Sequence, residues 1–433
     1  MIGMEEFSAD VILHSLYGKE VDTAASRARW THVLQSCFGR FSPDPELTCA
    51  LFSSPGRTEL GGNHTDHQLG KVLAASVNLD TLGAVIPRND TQVSLVSEGH
   101  EEVHLDISDT VMRESERGTA LALIRGIADW FVKRGTNLKG FQAYTISSVH
   151  KGSGLSSSAA IEILTASAWN TFSHAGCSPI ELAQAGQYAE NRYFGKPSGL
   201  MDQLACASAG IIAIDFENPT SPIVESVEAD FQQLGWTLCV VHTGGDHADL
   251  THEYASIPAD MQQAARYFGK EVCRGISADD LISRAAEVRE RAGDRAWLRA
   301  FHAVLDSERT ARQADALRKG DMHRYLEEVQ ASGMSSVISL QNIYPASHPI
   351  TQGISVGLAL THHFLDTHRL TGAVRVHGGG FAGTVQAYIP NDHFSSYRTF
   401  MDQVFGPGSV TPLYIRTIPA GMVASASVRQ WLG

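Results

Sequence analysis

The feature that most constrains the fold of this chain is an ordered run of three segments in its first half. Residues 140–149 alternate as a strand, Lys151-Gly-Ser-Gly-Leu-Ser-Ser-Ser158 is a loop of small residues, and residues 159–172 carry the period of a helix. Small residues at such a bend let the backbone approach an anion closely, while the helix points its first free N–H groups and positive dipole end at the same place. Gly152, Ser153, Gly154, Leu155, Ser156, Ser157 and Ser158 are therefore candidate phosphate contacts. The consecutive hydroxyls also offer an oxygen ligand for Mg²⁺. The plain alternative is a strand-to-helix turn with N-capping serines, since the loop is not the GxxxxGK[ST] pattern.

Around this unit the chain reads as a mixed α/β protein. A helix is predicted over residues 22–38, closing at Gly39, then a short strand over 49–53 stopping at Pro55-Gly56. Strand-like runs fill 71–98, broken at Arg88-Asn89-Asp90, and Leu123, Ile127, Trp130 and Phe131 recur at helical spacing before Gly135. Further strands are expected at 211–215, 238–242, 373–376 and 385–389, with a long charged helix over 306–330. At 433 residues two domains are the prior, divided as 1–207 and 208–433.

Hydrophobic residues at 43% and charged residues at 19% describe a folded globular protein rather than a disordered one. A net charge of -13 argues against a nucleic-acid binder, yet leaves room for one nucleotide held by backbone N–H groups. Six singly scattered cysteines suggest reduced thiols. The acidic N-terminal segment and the lack of any long apolar run lead to the expectation of a cytoplasmic protein without a membrane partner.

Three further clusters carry chemistry. Ser54-Pro-Gly-Arg-Thr-Glu-Leu-Gly-Gly-Asn-His-Thr-Asp-His67 gathers Arg57, His64, Asp66 and His67, which suit a metal, a plain surface loop or the paired donors and acceptors that sugar hydroxyls need. Glu190 precedes Gly199-Leu-Met-Asp202-Gln203, where a lone carboxylate in an apolar stretch is either a cap or a buried functional acid. Gly378-Gly-Gly-Phe-Ala-Gly383 is a weak GxGxxG without a βαβ unit, and a structural turn is its simplest reading.

Taken in order, these motifs resemble the galactokinases of the GHMP kinase superfamily. Gly56-Arg-Thr-Glu-Leu-Gly-Gly-Asn-His-Thr-Asp66 is similar to a signature usually reading GRVNLIGEHTD, and Gly154-Leu-Ser-Ser-Ser-Ala159 to the superfamily phosphate loop. Ala189-Glu190 with Asp202 is similar to the AE(H/N) and GIMDQ pair, and Gly378 to Gly383 to GAGFGG; residues 308–332 read like the family's C-terminal helices.

The resemblance implies an α+β, two-domain GHMP kinase fold, an N-terminal ribosomal protein S5-like domain and a C-terminal ferredoxin-like domain, with the site between them. It implies a kinase using ATP and Mg²⁺ to phosphorylate the C1 hydroxyl of galactose or a close relative, a monomer or weak homo-oligomer. Asp202 is then the catalytic carboxylate and Arg57 its partner, Ser158 and Glu190 hold Mg²⁺, and Asn63, His64, Asp66, Gly199 and Tyr254 face the sugar. Departures fall on the sugar side: Asn63 replaces the Glu that receives the C6 hydroxyl, and His67-Gln68 replaces Tyr-Asn. Gly379 and Ala382 exchange the usual Ala and Gly, and Thr243-Gly-Gly-Asp246 replaces an NSNV-type stretch. These open a second reading, a kinase for a C6-modified sugar such as galacturonate. A third, a silent sugar sensor, is disfavoured by the intact Ser158-Ala159-Ala160 and Asp202.

Overall fold

A computed structural model describes residues 6–149, 154–196, 198–245 and 250–432. Two helices open the chain, α1 (Glu6–Tyr17) and α2 (Thr23–Phe41). The second does not stop at Gly39: no atom of the described residues crowds that glycine, and the helix ends at Ser42, whose left-handed backbone (φ 45°) turns its N–H back to Phe38 O at 2.9 Å.

The first sheet is built from β1 (Thr48–Gly61), β2 (Lys71–Pro87), β3 (Gln92–Ser97), β4 (Val103–Asp106), β5 (Phe141–Ser147), β6 (Ile211–Asp215) and β7 (Ile223–Val227). Strand β1 runs through Pro55-Gly56 instead of stopping there. Its register on β2 slips between Pro55 and Arg57, a bulge that accommodates a residue without an N–H, and beyond it the Arg57 N–H donates to Leu155 O at 3.0 Å. The strand-like stretch ahead of Arg88-Asn89-Asp90 is one strand, β2, whose first half pairs with β6 and second half with β5.

Helices α3 (Ala120–Lys133), α4 (Ser157–Phe172), α5 (Pro179–Tyr188) and α6 (Met201–Ala207) follow in this half. Ile124, Ile127, Phe131, Ile163, Leu164 and Trp169 bury one core against Phe52, Val85, Phe141 and Ala143. On the opposite face α1 and α2 bury Leu13, Leu16, Val33, Leu34 and Cys37 against Leu51, Leu82, Ala84 and Ile86. With apolar layers on both sides, β1 is buried along nearly its whole length.

The second sheet holds β8 (Trp236–Gly244), β9 (Ala373–Val376), β10 (Gly383–Pro390) and β11 (Val410–Leu413) in the order β11-β8-β10-β9, all antiparallel. Strand β12 (Gly421–Ser427) then returns to the first sheet beside β1. Between β8 and β9 lie α7 (Thr251–Tyr267), α8 (Ala278–Ser283), α9 (Ala285–Ala292), α10 (Asp294–Arg318), α11 (Met322–Ser335) and α12 (Gly353–Thr367). The single long helix expected over 306–330 is broken at Lys319-Gly-Asp321, where Gly320 (φ 68°) ends α10 and Asp321 caps α11. Helix α13 (Phe394–Phe405) covers the second sheet with α12, and α14 (Val428–Leu432) closes the chain. Leu60, Leu73 and Val77 share a core with Leu238, Val240, Leu413, Leu317 and Tyr325, so the two sheets meet across α10 and α11. The mixed α+β architecture expected from the sequence is the one observed.

Candidate functional site

The described part of the phosphate loop begins at Gly154; Gly152 and Ser153 lie outside the described residues. Gly154 (φ 71°) must be glycine, because a Cβ would stand 2.9 Å from His377 Nδ1 and 3.0 Å from Thr384 Oγ1. Ser156 (φ 60°) turns the chain into α4, leaving Ser156, Ser157 and Ser158 half-buried at the helix start above the buried Leu155. This is the N–H-lined helix end that suits phosphate oxygens.

Arg57 and Asp202 meet beside the loop although 145 residues separate them. Arg57 Nε donates to Asp202 Oδ1 at 2.8 Å, with Nη2 2.7 Å from the same oxygen, while Nη1 donates to Gly154 O. Ser156 Oγ donates to the other oxygen, Asp202 Oδ2, at 2.6 Å. Burial alone would raise the Asp202 carboxyl; the Arg57 guanidinium, the Ser156 hydroxyl and Lys196 outweigh it and hold the group below its usual value. An ionised carboxylate is thus fixed at the mouth of the loop.

A second carboxylate stands at the same helix start, against Ser158. After α5 the chain widens into a π-helical turn over Ala189–Phe194, a form frequent at functional sites, and Glu190 projects from it. Ser158 Oγ donates to Glu190 Oε1 at 3.2 Å, and Lys196 Nζ lies 3.1 Å from the same oxygen. Hydroxyl and carboxylate oxygens converging in this way are the donors a hard divalent cation takes, so the pair fits Mg²⁺.

The signature loop sits between β1 and β2. His64 (φ 60°) hydrogen-bonds through Nε2 to Gly379 O at 3.0 Å, and burial above all lowers its pKa to about 4. Asp66 caps its own short turn through the His67 N–H at 2.9 Å and lies against Gly199, where a Cβ would collide with its Oδ2. Tyr254 donates to Gly380 O at 3.0 Å and packs edge-on to Phe381, and burial pushes its hydroxyl up to about 12. Gly379, where alanine is usual in the resembling motif, lets this ring close: a Cβ would stand 2.6 Å from Tyr254 Cε1.

Asn63 is buried, with its side-chain hydrogen bonds spent on the protein. Nδ2 donates to Gly378 O at 2.7 Å and Glu59 Oε1 at 3.1 Å, and Oδ1 accepts from Asn342 Nδ2 at 2.9 Å. A sugar group reaching Asn63 would have to share those bonds. The glycine turn 378–383 is thereby tied to the signature loop by three side chains, Asn63, His64 and Asn342.

Sequence reasoning missed His377, Lys196, Glu59 and Glu162. His377 lies behind Arg57, bonded to Thr58 Oγ1 and Thr384 Oγ1 at 3.0 Å each, with its pKa driven well down by burial and then by Arg57. Glu59 pairs with the buried Arg375. Glu162 had a visible signal, a carboxylate within the apolar face of α4; burial and the nearby Glu190 raise it well above the usual carboxylate range.

Residues 122–210 match the GHMP kinases N terminal domain, and residues 36–87 match the galactokinase galactose-binding signature. The chain is 27% identical to a galactokinase of Enterococcus faecalis over 369 residues, 83% of this chain and 90% of that protein. Lactococcus lactis galactokinase, solved with galactose, shares the fold with a TM-score of 0.74 at 23% identity, covering 91% of this chain and 98% of its own. Methanococcus jannaschii mevalonate kinase aligns with a TM-score of 0.55 at 14% identity, over 84% of this chain and 98% of its own.

Proposed function

We propose that the chain is a kinase of the galactokinase type within the GHMP kinase superfamily, which it resembles in both matched segments, and that it transfers the γ-phosphoryl group of ATP to the C1 hydroxyl of galactose. The observation that carries this reading is Asp202: an ionised carboxylate held by Arg57 and Ser156 at the start of the phosphate-loop helix, with the His64, Asp66, Gly199 and Tyr254 group nearby on the sugar side.

Phosphoryl transfer needs little covalent chemistry from a protein and much positioning and charge compensation. Asp202 orients the C1 hydroxyl and receives its proton. Since its carboxyl is held low, the proton arrives only as the sugar oxygen commits to phosphorus and becomes acidic. Arg57 keeps Asp202 ionised and adds positive charge where the transferring group passes. Gly154 to Ser158 and the N-terminus of α4 hold phosphate oxygens. Ser158 and Glu190 would hold Mg²⁺, which when bound neutralises charge shared by the β- and γ-phosphates. His64, Asp66 and Tyr254 supply the polar contacts to the sugar, and Asn63 shapes the pocket from beneath through the glycine turn.

Galactose is favoured over galacturonate because Asn63, one of the departures that opened the alternative beside His67-Gln68, is engaged with Glu59, Gly378 and Asn342. The test is a panel of galactose, galacturonate, arabinose and N-acetylgalactosamine, assayed for ADP release with Mg-ATP and for the position of the phosphate by NMR. Highest kcat/KM on galactose with phosphate on C1 is expected. Preference for galacturonate, or sugar binding without ADP release, would overturn the reading.

A further inference from the structure

Glu162 has no place in the chemistry above, yet it is completely buried one helical turn beyond Ser158 on α4. Its Oε2 accepts from Gln203 Nε2 at 3.1 Å, and its Oε1 has no hydrogen-bond partner among the described residues. The same Gln203 nitrogen donates to Glu190 Oε2 at 3.0 Å. One amide therefore bridges two carboxylates, with one N–H for each. Gly186 of α5 makes the room: a Cβ there would stand 2.9 Å from both Glu162 Oε2 and Gln203 Cγ.

An isolated buried carboxylate is costly, and a leucine would fill the same space without that cost. The arrangement gains something from it. Glu190 Oε1 faces Ser158 and Lys196, and what turns it that way is the bond from Gln203 to Oε2 on its other side. Gln203 is itself oriented by Glu162 and is the chain neighbour of Asp202 on α6. We propose that Glu162 is a positioning residue which, through Gln203, fixes the orientation of Glu190 toward the Mg²⁺-nucleotide. The inference rests on the reading that Ser158 and Glu190 hold the cation.

The test uses the full chain and measures binding apart from turnover. Dissociation constants for ADP are determined with and without Mn²⁺ as the metal probe, in wild type, Glu162→Ala, Glu162→Gln, Gln203→Leu and the Glu162→Ala/Gln203→Leu double variant, with thermal unfolding as a fold control. Loss of an outer hydrogen-bond partner typically weakens metal affinity by about 10- to 100-fold. Both single substitutions to Ala and Leu are expected to weaken Mn²⁺-dependent ADP binding by about 10-fold or more and to leave metal-free ADP binding unchanged. The double variant is expected to lose no more than either single, since both act along one route. Glu162→Gln keeps the acceptor oxygen and should stay within about two-fold of wild type. If Glu162→Ala does not fold, Gln203→Leu decides. Equal loss of metal-free and metal-dependent binding, additive losses in the double variant, or unchanged Mn²⁺ dependence in folded variants would overturn the proposal. If wild-type ADP binding does not respond to Mn²⁺ at all, the assignment of the cation site falls and this inference falls with it.

Discussion

The side-chain amide of Asn63 donates to the carboxylate of Glu59 across 3.1 Å, at the point where β1 leaves the first sheet. In the pattern GRVNLIGEHTD an amide stands at the first of these positions and a carboxylate at the second; here they are exchanged. Glu59 is already committed to the buried Arg375, and burial raises its carboxyl despite that partner. A second carboxylate at 63 would face Glu59 and the Gly378 carbonyl with no donor to offer. We predict that Asn63→Glu destabilises the protein by about 3 kcal/mol, the scale for an uncompensated buried charge. Glu59→Asn/Asn63→Glu should be more stable than the sum of the single changes requires. Urea unfolding of the four proteins measures this coupling, and strict additivity would show that the two residues act independently.

Asp202→Asn keeps the shape of the side chain but removes the charge and the proton acceptor. Turnover is expected to drop by about two orders of magnitude or more while ADP binding persists. The buried Arg57 loses its counter-ion, so a fall in thermal stability should accompany the loss. Near-normal turnover in a folded variant would remove Asp202 from the mechanism.

Glu190→Gln deletes an anionic oxygen beside Ser158 and leaves Lys196 without its partner. The Mg²⁺ concentration needed for half-maximal activity should rise by about 10-fold or more, with the KM for sugar little changed. Titrating Mg²⁺ at saturating ATP and sugar makes the comparison, and an unaltered requirement would assign Glu190 a structural role.

How much of this was legible beforehand follows from where each contact lies along the chain. The strand, small-residue turn and helix over 140–172 are readable because they are contiguous, and so is the α+β alternation. Pro55 and Gly39 misled because their local preferences were overridden, one by a bulge inside a doubly covered strand and the other by a helix with empty space at the glycine. Glu59 with Arg375 and Thr58 with His377 are 316 and 319 residues apart, and no periodicity reports such meetings. Asn63 illustrates the limit: its replacement of a Glu was visible, but its engagement with Gly378 and Asn342 depends on two segments distant in sequence.

Gly199→Ala offers a narrow test of the sugar side. The added methyl would strike Asp66 Oδ2, while the loop, Ser158 and Glu190 are not among its nearest neighbours. The KM for sugar should rise by about 10-fold, the cost of displacing one charged hydrogen-bonding group, with the KM for ATP unchanged. Steady-state kinetics with each substrate varied in turn separates the two, and parallel changes in both constants would mean that Asp66 does not act on the sugar alone.

Acid stability should follow the buried histidines. His64, His302 and His377 all have pKa values lowered first by burial, His64 to about 4 and His377 well below the ordinary 6.5. A folded value below the unfolded one means that the unfolded chain takes up protons first as pH falls. Stability from these groups is therefore complete above about pH 6.5 and declines below it, by at most about 1.4 kcal/mol per pH unit for each histidine within its window. Asp202 and Asp306, both held below the usual carboxylate value, add a second loss that begins only below about pH 4. Glu162 and Glu59, raised by burial, oppose the histidine slope because acidification relieves their charge. His377→Gln removes one histidine while keeping hydrogen-bonding atoms for Thr58 and Thr384. Urea unfolding from pH 7 to pH 4.5 should then show a shallower decline in the variant than in wild type, and parallel curves would mean that His377 is not held neutral in the fold.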